Sequence, residues 1–404
     1  MTGDSTAQQE RSSEPGGNPE LDRLFQQAVD AGDLPGVVAM VADRDGTTYA
    51  AAFGHCSAAD NAALTADSVF WIASMSKAIT SVAAMQLVEQ GKLQLDSPLG
   101  DIVPDLAAPQ VLEGFADDGR PRLRPARREI TLRHLLTHTS GFGYAFGDTQ
   151  LLQYVLQEQI PDITTCTTAA YRLPLLFEPG ERWHYGIGID WAGRVVEAVS
   201  GQSLEDYLKE HILAPLGMRD TGFALTPAQQ ERLVAMHARL PDGSLQQIPF
   251  ALPQNPEFYM GGGGLYGTAR DYLRFLRMIL QQGQLDGVRI LRPETVQLMT
   301  QNQIGDLQAG QIKSAVPELT NDCDFFPGMQ QRWGLGFLIN TEPSPQGRSA
   351  GSLAWAGLGN TYYWLDPAHD LVGLFMTQIL PFADSRAIGV FNQFEAGVYR
   401  HLAN

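Results

Sequence analysis

The sequence predicts an α/β protein of the α+β type: a central antiparallel sheet flanked by helices, with a mostly helical region between two runs of strands. Three observations lead there. Strand-like stretches lie near both ends of the chain, over residues 36–53 and 333–377, with helical patterns between them. Gly36–Asp43 and Thr47–Phe53 flank the turn Asp43-Arg-Asp-Gly46, a hairpin signal. The run Ser76–Gln90 is apolar almost all round (Ile79, Val82, Ala83, Met85, Leu87, Val88), as a helix in the middle of a protein would be.

The elements follow in chain order. Met1 to about Pro19 is rich in Ser, Gly, Gln and Glu without an apolar stretch, which predicts a disordered tail over 1–19 and no secretory signal. Glu20–Ala31 places Leu21, Leu24, Phe25 and Val29 on one helical stripe. The hairpin comes next, then the apolar helix, which stops at Gly91. Residues from about 95 to 285 read as helices joined by long loops. Within them Ser203-Leu-Glu-Asp206 and Thr268-Ala-Arg-Asp271 resemble capping boxes, opening helices that run to about Leu213 and Leu280. Strands return at Trp333–Ile339, Thr361–Leu365 and Leu371–Thr377, and a helix closes the chain over Ala387–Leu402. The expectation is one catalytic unit over 20–402. Its sheet comes from about 20–75 and 285–402, and its mostly helical region from about 76–284.

With 404 residues, 44% hydrophobic and 18% charged, the chain has ample material for a core. A net charge of −17 and a pI near 4.8 argue against nucleic acid and against an anionic membrane surface as partners. No apolar run reaches the length of a membrane span. Cys56, Cys166 and Cys323 are odd in number and lack metal-type spacing, so reduced thiols in a cytoplasmic protein are expected.

The chemistry is expected at Ser74 and Lys77, in Trp71-Ile-Ala-Ser-Met-Ser-Lys77. Positions i and i+3 are neighbours on a helix, so a hydroxyl and an amine stand side by side where the apolar helix begins. A serine alcohol needs a base to become a nucleophile, and a helix N-terminus steadies a developing oxyanion. Lysines occur only at 77, 92, 209 and 313, and Lys77 alone has a serine three residues before it.

Four further stretches accompany this pair: Ile130-Thr-Leu-Arg-His-Leu-Leu-Thr-His-Thr-Ser-Gly141, Tyr185-Gly-Ile187, Gly261-Gly-Gly-Gly-Leu-Tyr-Gly-Thr-Ala-Arg270 and Trp355-Ala-Gly357. In this order the set resembles the serine β-lactamase and penicillin-binding-protein superfamily. It looks most like class C enzymes and the family VIII carboxylesterases, over about residues 20–400. The resemblance implies a β-lactamase-like fold. It implies Ser74 as the acylated nucleophile, Lys77 and Tyr185 as a joint proton-transferring pair, and the backbone N–H groups of Ser74 and Leu358 as oxyanion hole. Trp355, Ala356, Gly357 and Ile187 would edge the substrate pocket. Two departures matter: Ile187 stands where the family has asparagine, and Trp355 where it has a lysine that holds a substrate carboxylate. An uncharged ester with an apolar acyl group fits such a site. The expected function is therefore a serine carboxylesterase for short- to medium-chain esters, without metal or organic cofactor. The alternatives are acyl transfer to an alcohol, amide or β-lactam hydrolysis, and a non-catalytic member of the fold.

Other motifs read as decoys. Gly347-Arg-Ser-Ala-Gly351 matches the G-x-S-x-G pattern, but a Pro-containing loop precedes Ser349 instead of a strand. Gly262-Gly-Gly-Leu-Tyr-Gly267 matches G-x-G-x-x-G without a βαβ unit around it and reads as a flexible approach to the following helix. His134 and His138 have zinc-pair spacing but no acidic neighbour and no third ligand in view, so a structural role is expected. Phe142, Tyr144, Phe146, Phe250, Phe258 and Tyr259 offer an apolar lining for an acyl pocket.

Overall fold

A computed structural model of the protein describes residues 17–57 and 62–402. Residues 1–16 of the expected tail lie outside them. The helix α1 (Pro19–Asp30) begins one residue earlier than expected: Pro19 opens it, and the Asn18 side chain accepts from the N–H groups of Glu20 and Leu21.

The hairpin forms as predicted, with β1 (Gly36–Ala42) and β2 (Thr47–Gly54) joined at the Asp43–Gly46 turn, where Asp43 accepts from the N–H of Asp45 and Gly46. β3 (Val69–Trp71) pairs with β4 (Tyr266–Thr268), and α2 (Ser76–Glu89) follows β3. In the middle of the chain, α3 (Gly188–Ser200) packs on α2 and α4 (Ala269–Leu280) packs on the sheet. The C-terminal part supplies β5 (Gln331–Trp333), β6 (Leu338–Asn340), β7 (Leu353–Gly357), β8 (Thr361–Asp366), β9 (Leu371–Met376) and α5 (Ser385–Leu402).

The two ends of the chain meet in one seven-stranded sheet of order β5-β6-β7-β8-β9-β1-β2, antiparallel at every pairing. Val38 lies opposite Met376 and Met40 opposite Leu374. Because side chains alternate across a strand, β1 feeds two cores. Val38 and Met40 join α2 and α4 on one face; Val37, Ala39 and Val41 join Leu21 and Phe25 of α1 and Phe391 and Phe394 of α5 on the other. That burial on both sides explains why β1 reads as a continuous apolar run.

Three local expectations are corrected. Trp333–Ile339 is not one strand: it folds back at Gly334–Phe337, where Gly336 takes φ +101°, a region open to glycine at little cost. The helix after Ser203 runs as α-helix only to Leu208 and continues as a π-turn over Lys209–Leu213. The helical middle contains a hairpin, Gln110–Phe115 with Pro121–Pro125, whose alternation is masked by the surface charges Glu113, Arg122 and Arg124. Among the described residues no helix is long and apolar enough to cross a membrane, and all three cysteines are free thiols.

Candidate active site

β3 delivers the chain to a single 3-10 turn, Ala73–Met75, that runs straight into α2. Ala73 enters this turn at φ +46°, a left-handed conformation that is strained for a residue with a Cβ, and Ser74 follows it. Lys77 lies on the first turn of α2 and is fully buried. Its Nζ donates to Ser74 Oγ at 3.2 Å, to Tyr144 Oη at 3.0 Å and to the Gly262 carbonyl at 2.6 Å. The i, i+3 spacing thus does bring hydroxyl and amine into contact.

Tyr144 Oη donates in turn to Asp190 Oδ2 at 3.0 Å, and the Gly262 N–H donates to Asp190 Oδ1 at 2.8 Å. Asp190 lies on the first turn of α3 and is fully buried; burial raises its pKa, opposed by Lys77, the Gly262 N–H and Tyr144. Gly262 must be glycine, because a Cβ there would stand 2.4 Å from Asp190 Oδ2. The glycine-rich segment is accordingly pinned and not a flexible approach. Thr80 donates to the Gly261 carbonyl, Trp71 Nε1 to that of Gly263, and the Leu265 N–H to Ser76 Oγ. In the sequence Tyr144 reads only as a pocket aromatic, and Asp190 does not stand out. The one available signal was an acid embedded in the apolar stretch after Tyr185.

Tyr185 presents its ring face to Lys77, with Nζ 4.7 Å from the centroid. Its hydroxyl accepts from the indole N–H of Trp355 at 3.3 Å. Trp355, on β7, is itself packed by Phe325 and Trp333 at centroid distances of 5.0 and 4.6 Å. Ser74, Tyr185, Trp355, Ala356, Gly357 and Leu358 together line one cavity, closed by Phe146, Ile312 and Phe382. Its volume is about 20 Å³, and none of its lining residues is a Lys, Arg or His. Among the described turn and loop hydrogen bonds, the N–H groups of Ser74 and Leu358 have no carbonyl partner. Ile187 is the correction here: it precedes α3, is fully buried and does not line this cavity.

His138 is buried beside Tyr185. It holds φ +57°, its Nδ1 faces the Gly186 N–H at 3.4 Å, and its ring lies 4.8 Å from that of Tyr185. Burial first, then Lys77 and His184, push its pKa well down, so it is neutral. His134 caps its own helix, its Nδ1 accepting from the Thr131 N–H. Ser349 does contact a histidine, His369, at 3.0 Å. The same Nδ1 also meets Asp366 Oδ2 at 3.0 Å, so one nitrogen faces both partners and no relay through the ring exists.

The family model described as Beta-lactamase matches residues 21–397. The chain belongs to the beta-lactamase family. With it comes membership of the serine β-lactamase and penicillin-binding-protein superfamily that the motifs resemble, and the chain is an enzyme of that group. Hydrolysis or transfer of acyl groups is the chemistry this membership supports. Monacolin J acid methylbutanoyltransferase of Aspergillus terreus is 33% identical over 396 residues, 94% of this chain and 95% of that protein. Lovastatin esterase of Penicillium rubens is 34% identical over 400 residues, 94% of this chain and 98% of that one. The unliganded structure of simvastatin synthase from Aspergillus terreus superposes with a TM-score of 0.81 at 31% identity, over 95% of this chain and 98% of the other.

Proposed function

We propose that the protein is a serine carboxylesterase that processes short- to medium-chain carboxylic esters through an acyl-Ser74 intermediate, of the family VIII kind. The contact of Lys77 Nζ with Ser74 Oγ, at the head of a buried helix and beside a cation-free apolar cavity, carries this reading.

In the first half-reaction Ser74 Oγ bonds to the ester carbonyl carbon as Lys77 takes its proton. The carbonyl oxygen becomes an oxyanion facing the N–H groups of Ser74 and Leu358. Two such donors are worth several kcal/mol of transition-state stabilisation, about 3 each. The C–O bond to the alcohol then breaks. Tyr185 suits the delivery of a proton to that leaving oxygen. Its oxygen accepts from Trp355, whose indole nitrogen can only donate, so the phenolic proton is left for the cavity. In net terms the Ser74 proton passes through the Lys77–Tyr185 pair to the leaving alcohol, which leaves acyl-Ser74. Water then repeats the sequence in reverse and regenerates the serine. Nothing in these steps calls on a metal or an organic cofactor.

Transfer of the acyl group to an alcohol is a second reading with its own support. Apart from Ser74, Tyr185 and the Trp355 N–H, the lining side chains offer a hydrolytic water no polar partner, and a relative of similar length is named a methylbutanoyltransferase. β-Lactam or amide hydrolysis is disfavoured because Trp355 leaves the cavity without a cation for a substrate carboxylate. The test is turnover of a C2–C8 p-nitrophenyl ester series with and without added 1-hexanol. Free acid as the main product under both conditions supports the esterase; hexyl ester replacing it supports the transferase. Cephalosporin turnover rivalling that of the esters overturns both.

A further inference from the structure

We infer that Tyr144 and Asp190, which the mechanism above does not use, are positioning residues that aim the lone pair of Lys77 at Ser74. The inference rests on the acyl-Ser74 reading and deepens it. It starts from a count of donors around one nitrogen. A lysine ammonium has three N–H donors and no acceptor, and Lys77 Nζ has three partners: Ser74 Oγ, Tyr144 Oη and the Gly262 carbonyl. To take the Ser74 proton the amine must be neutral, with two N–H groups and one lone pair. The outcome then depends on which of the three partners is able to face the lone pair.

Gly262 is not, because a carbonyl oxygen only accepts. Tyr144 could face it as a donor, and that arrangement would block the base by spending the lone pair on the phenol. Asp190 prevents it. Asp190 Oδ2 accepts from Tyr144 Oη at 3.0 Å, so the phenol's single proton is committed to Asp190. Only the lone pairs of Tyr144 are left for Lys77. The Gly262 N–H fixes Asp190 through its other oxygen, and the next atoms of the same glycine present the carbonyl to Lys77. With both N–H groups of the neutral amine drawn to Tyr144 and Gly262, the lone pair is left for Ser74 Oγ. Burial and Asp190 also hold the Tyr144 phenol protonated, which keeps this direction of donation in place.

The direction of one hydrogen bond is therefore what Asp190 controls, and Asp190→Asn tests it with almost no change of shape. The Gly262 N–H requires an oxygen, so the amide NH2 would point at Tyr144 and donate to it. The Tyr144 proton would then turn to Lys77 and occupy the lone pair. Tyr144→Phe removes the hydroxyl altogether: Lys77 loses one guide but nothing competes for its lone pair.

The experiment is single-turnover acylation by p-nitrophenyl butyrate, read as the p-nitrophenol burst, on wild type, Tyr144→Phe, Asp190→Asn and the double variant, each checked by thermal melting. We expect Asp190→Asn to acylate about 100-fold more slowly with little change in KM, the loss typical of misaimed reacting groups. Tyr144→Phe should lose less, and the double variant should be faster than Asp190→Asn alone, because no hydroxyl remains to turn round. A merely structural role predicts the opposite, with losses that multiply and track melting temperature. A double variant slower than Asp190→Asn, or Tyr144→Phe and Asp190→Asn both acylating at the wild-type rate, overturns the inference. A wild type that shows a burst but no acyl group on Ser74 by peptide mass spectrometry overturns the underlying reading first, and this inference with it. If Asp190→Asn does not fold, Tyr144→Phe decides: a fall of about tenfold in acylation at unchanged KM supports the inference, and an unchanged rate overturns it.

Discussion

The indole N–H of Trp355 donates to the hydroxyl oxygen of Tyr185 at 3.3 Å, joining the residue that by resemblance stands in place of the family lysine to the one proposed to face the leaving group. The substitution therefore does two things. It leaves the cavity lining without a cation, and it supplies a neutral donor that fixes the Tyr185 hydroxyl. Trp355→Phe keeps most of the packing against Phe325 and Trp333 and deletes only the donor. A hydrogen bond of this kind is worth about 1 kcal/mol, so kcat for p-nitrophenyl butyrate should fall about fivefold with an unchanged melting temperature. An unchanged kcat would leave Trp355 a packing residue alone.

Acyl size should be set by the residues that close the cavity. A water molecule needs roughly 10–15 Å³ of such space, so about 20 Å³ over Ser74 admits little more than one. Phe146, which stacks on Tyr144 at a centroid distance of 5.0 Å, is part of that lining. Phe146→Ala should shift preference toward longer chains, raising the octanoate-to-acetate ratio of kcat/KM by about tenfold, in line with the energy of a few methylenes in an apolar pocket. A ratio that stays constant would place the acyl group elsewhere.

Asp271 should make stability depend on pH. Burial lifts its pKa from 3.8 to about 6, although its carboxylate accepts from the Asp220 N–H and the Thr221 hydroxyl. A raised acid pKa means the folded state holds the proton more tightly than the unfolded chain. Stability contributed by that proton is full below about pH 4 and lost as pH rises to about 6, with an upper bound of about 3 kcal/mol for a shift of two units. Asp271→Asn keeps an acceptor and removes the titration. Urea midpoints measured from pH 4 to 7 should therefore fall less steeply in the variant than in the wild type. Parallel slopes would contradict the assignment.

Arg348, from the G-x-S-x-G decoy, serves the fold and not catalysis. Its guanidinium is paired with Glu395 of α5, both side chains being less than 5% exposed, and it lies over the rings of Phe326, Trp364 and Phe391. Arg348→Met would strand a buried carboxylate at a cost of about 3–5 kcal/mol. The Arg348→Met/Glu395→Leu double variant should recover most of it, as measured by urea denaturation. A single variant as stable as the wild type would show that the pair contributes nothing.

The parts legible in the sequence are those written in local patterns. The Asp43–Gly46 turn, the two-sided apolar run of β1 and the all-round apolar α2 each carry their meaning within a dozen residues, and the sheet they imply formed. The Ser74–Lys77 contact was legible for the same reason, being one helical turn. Tyr144, Asp190 and Gly262 were not read as a network, because they reach Lys77 from segments 67, 113 and 185 residues away in the sequence and only the fold closes those gaps. Ile187, assigned to the pocket because it stands where the resembling family has asparagine, is instead fully buried ahead of α3 and does not line the cavity. The hairpin at 110–125 escaped because its exposed charges hide the alternation.

The central claim is that acyl groups are carried on Ser74. The most direct measurement is peptide mass spectrometry of the folded enzyme after quenching with p-nitrophenyl butyrate, run beside Ser74→Ala. The account predicts a butyryl adduct on the peptide holding Ser74, with adduct and ester turnover both lost in Ser74→Ala. An adduct on the peptide holding Ser349, or turnover that survives in Ser74→Ala, would contradict it.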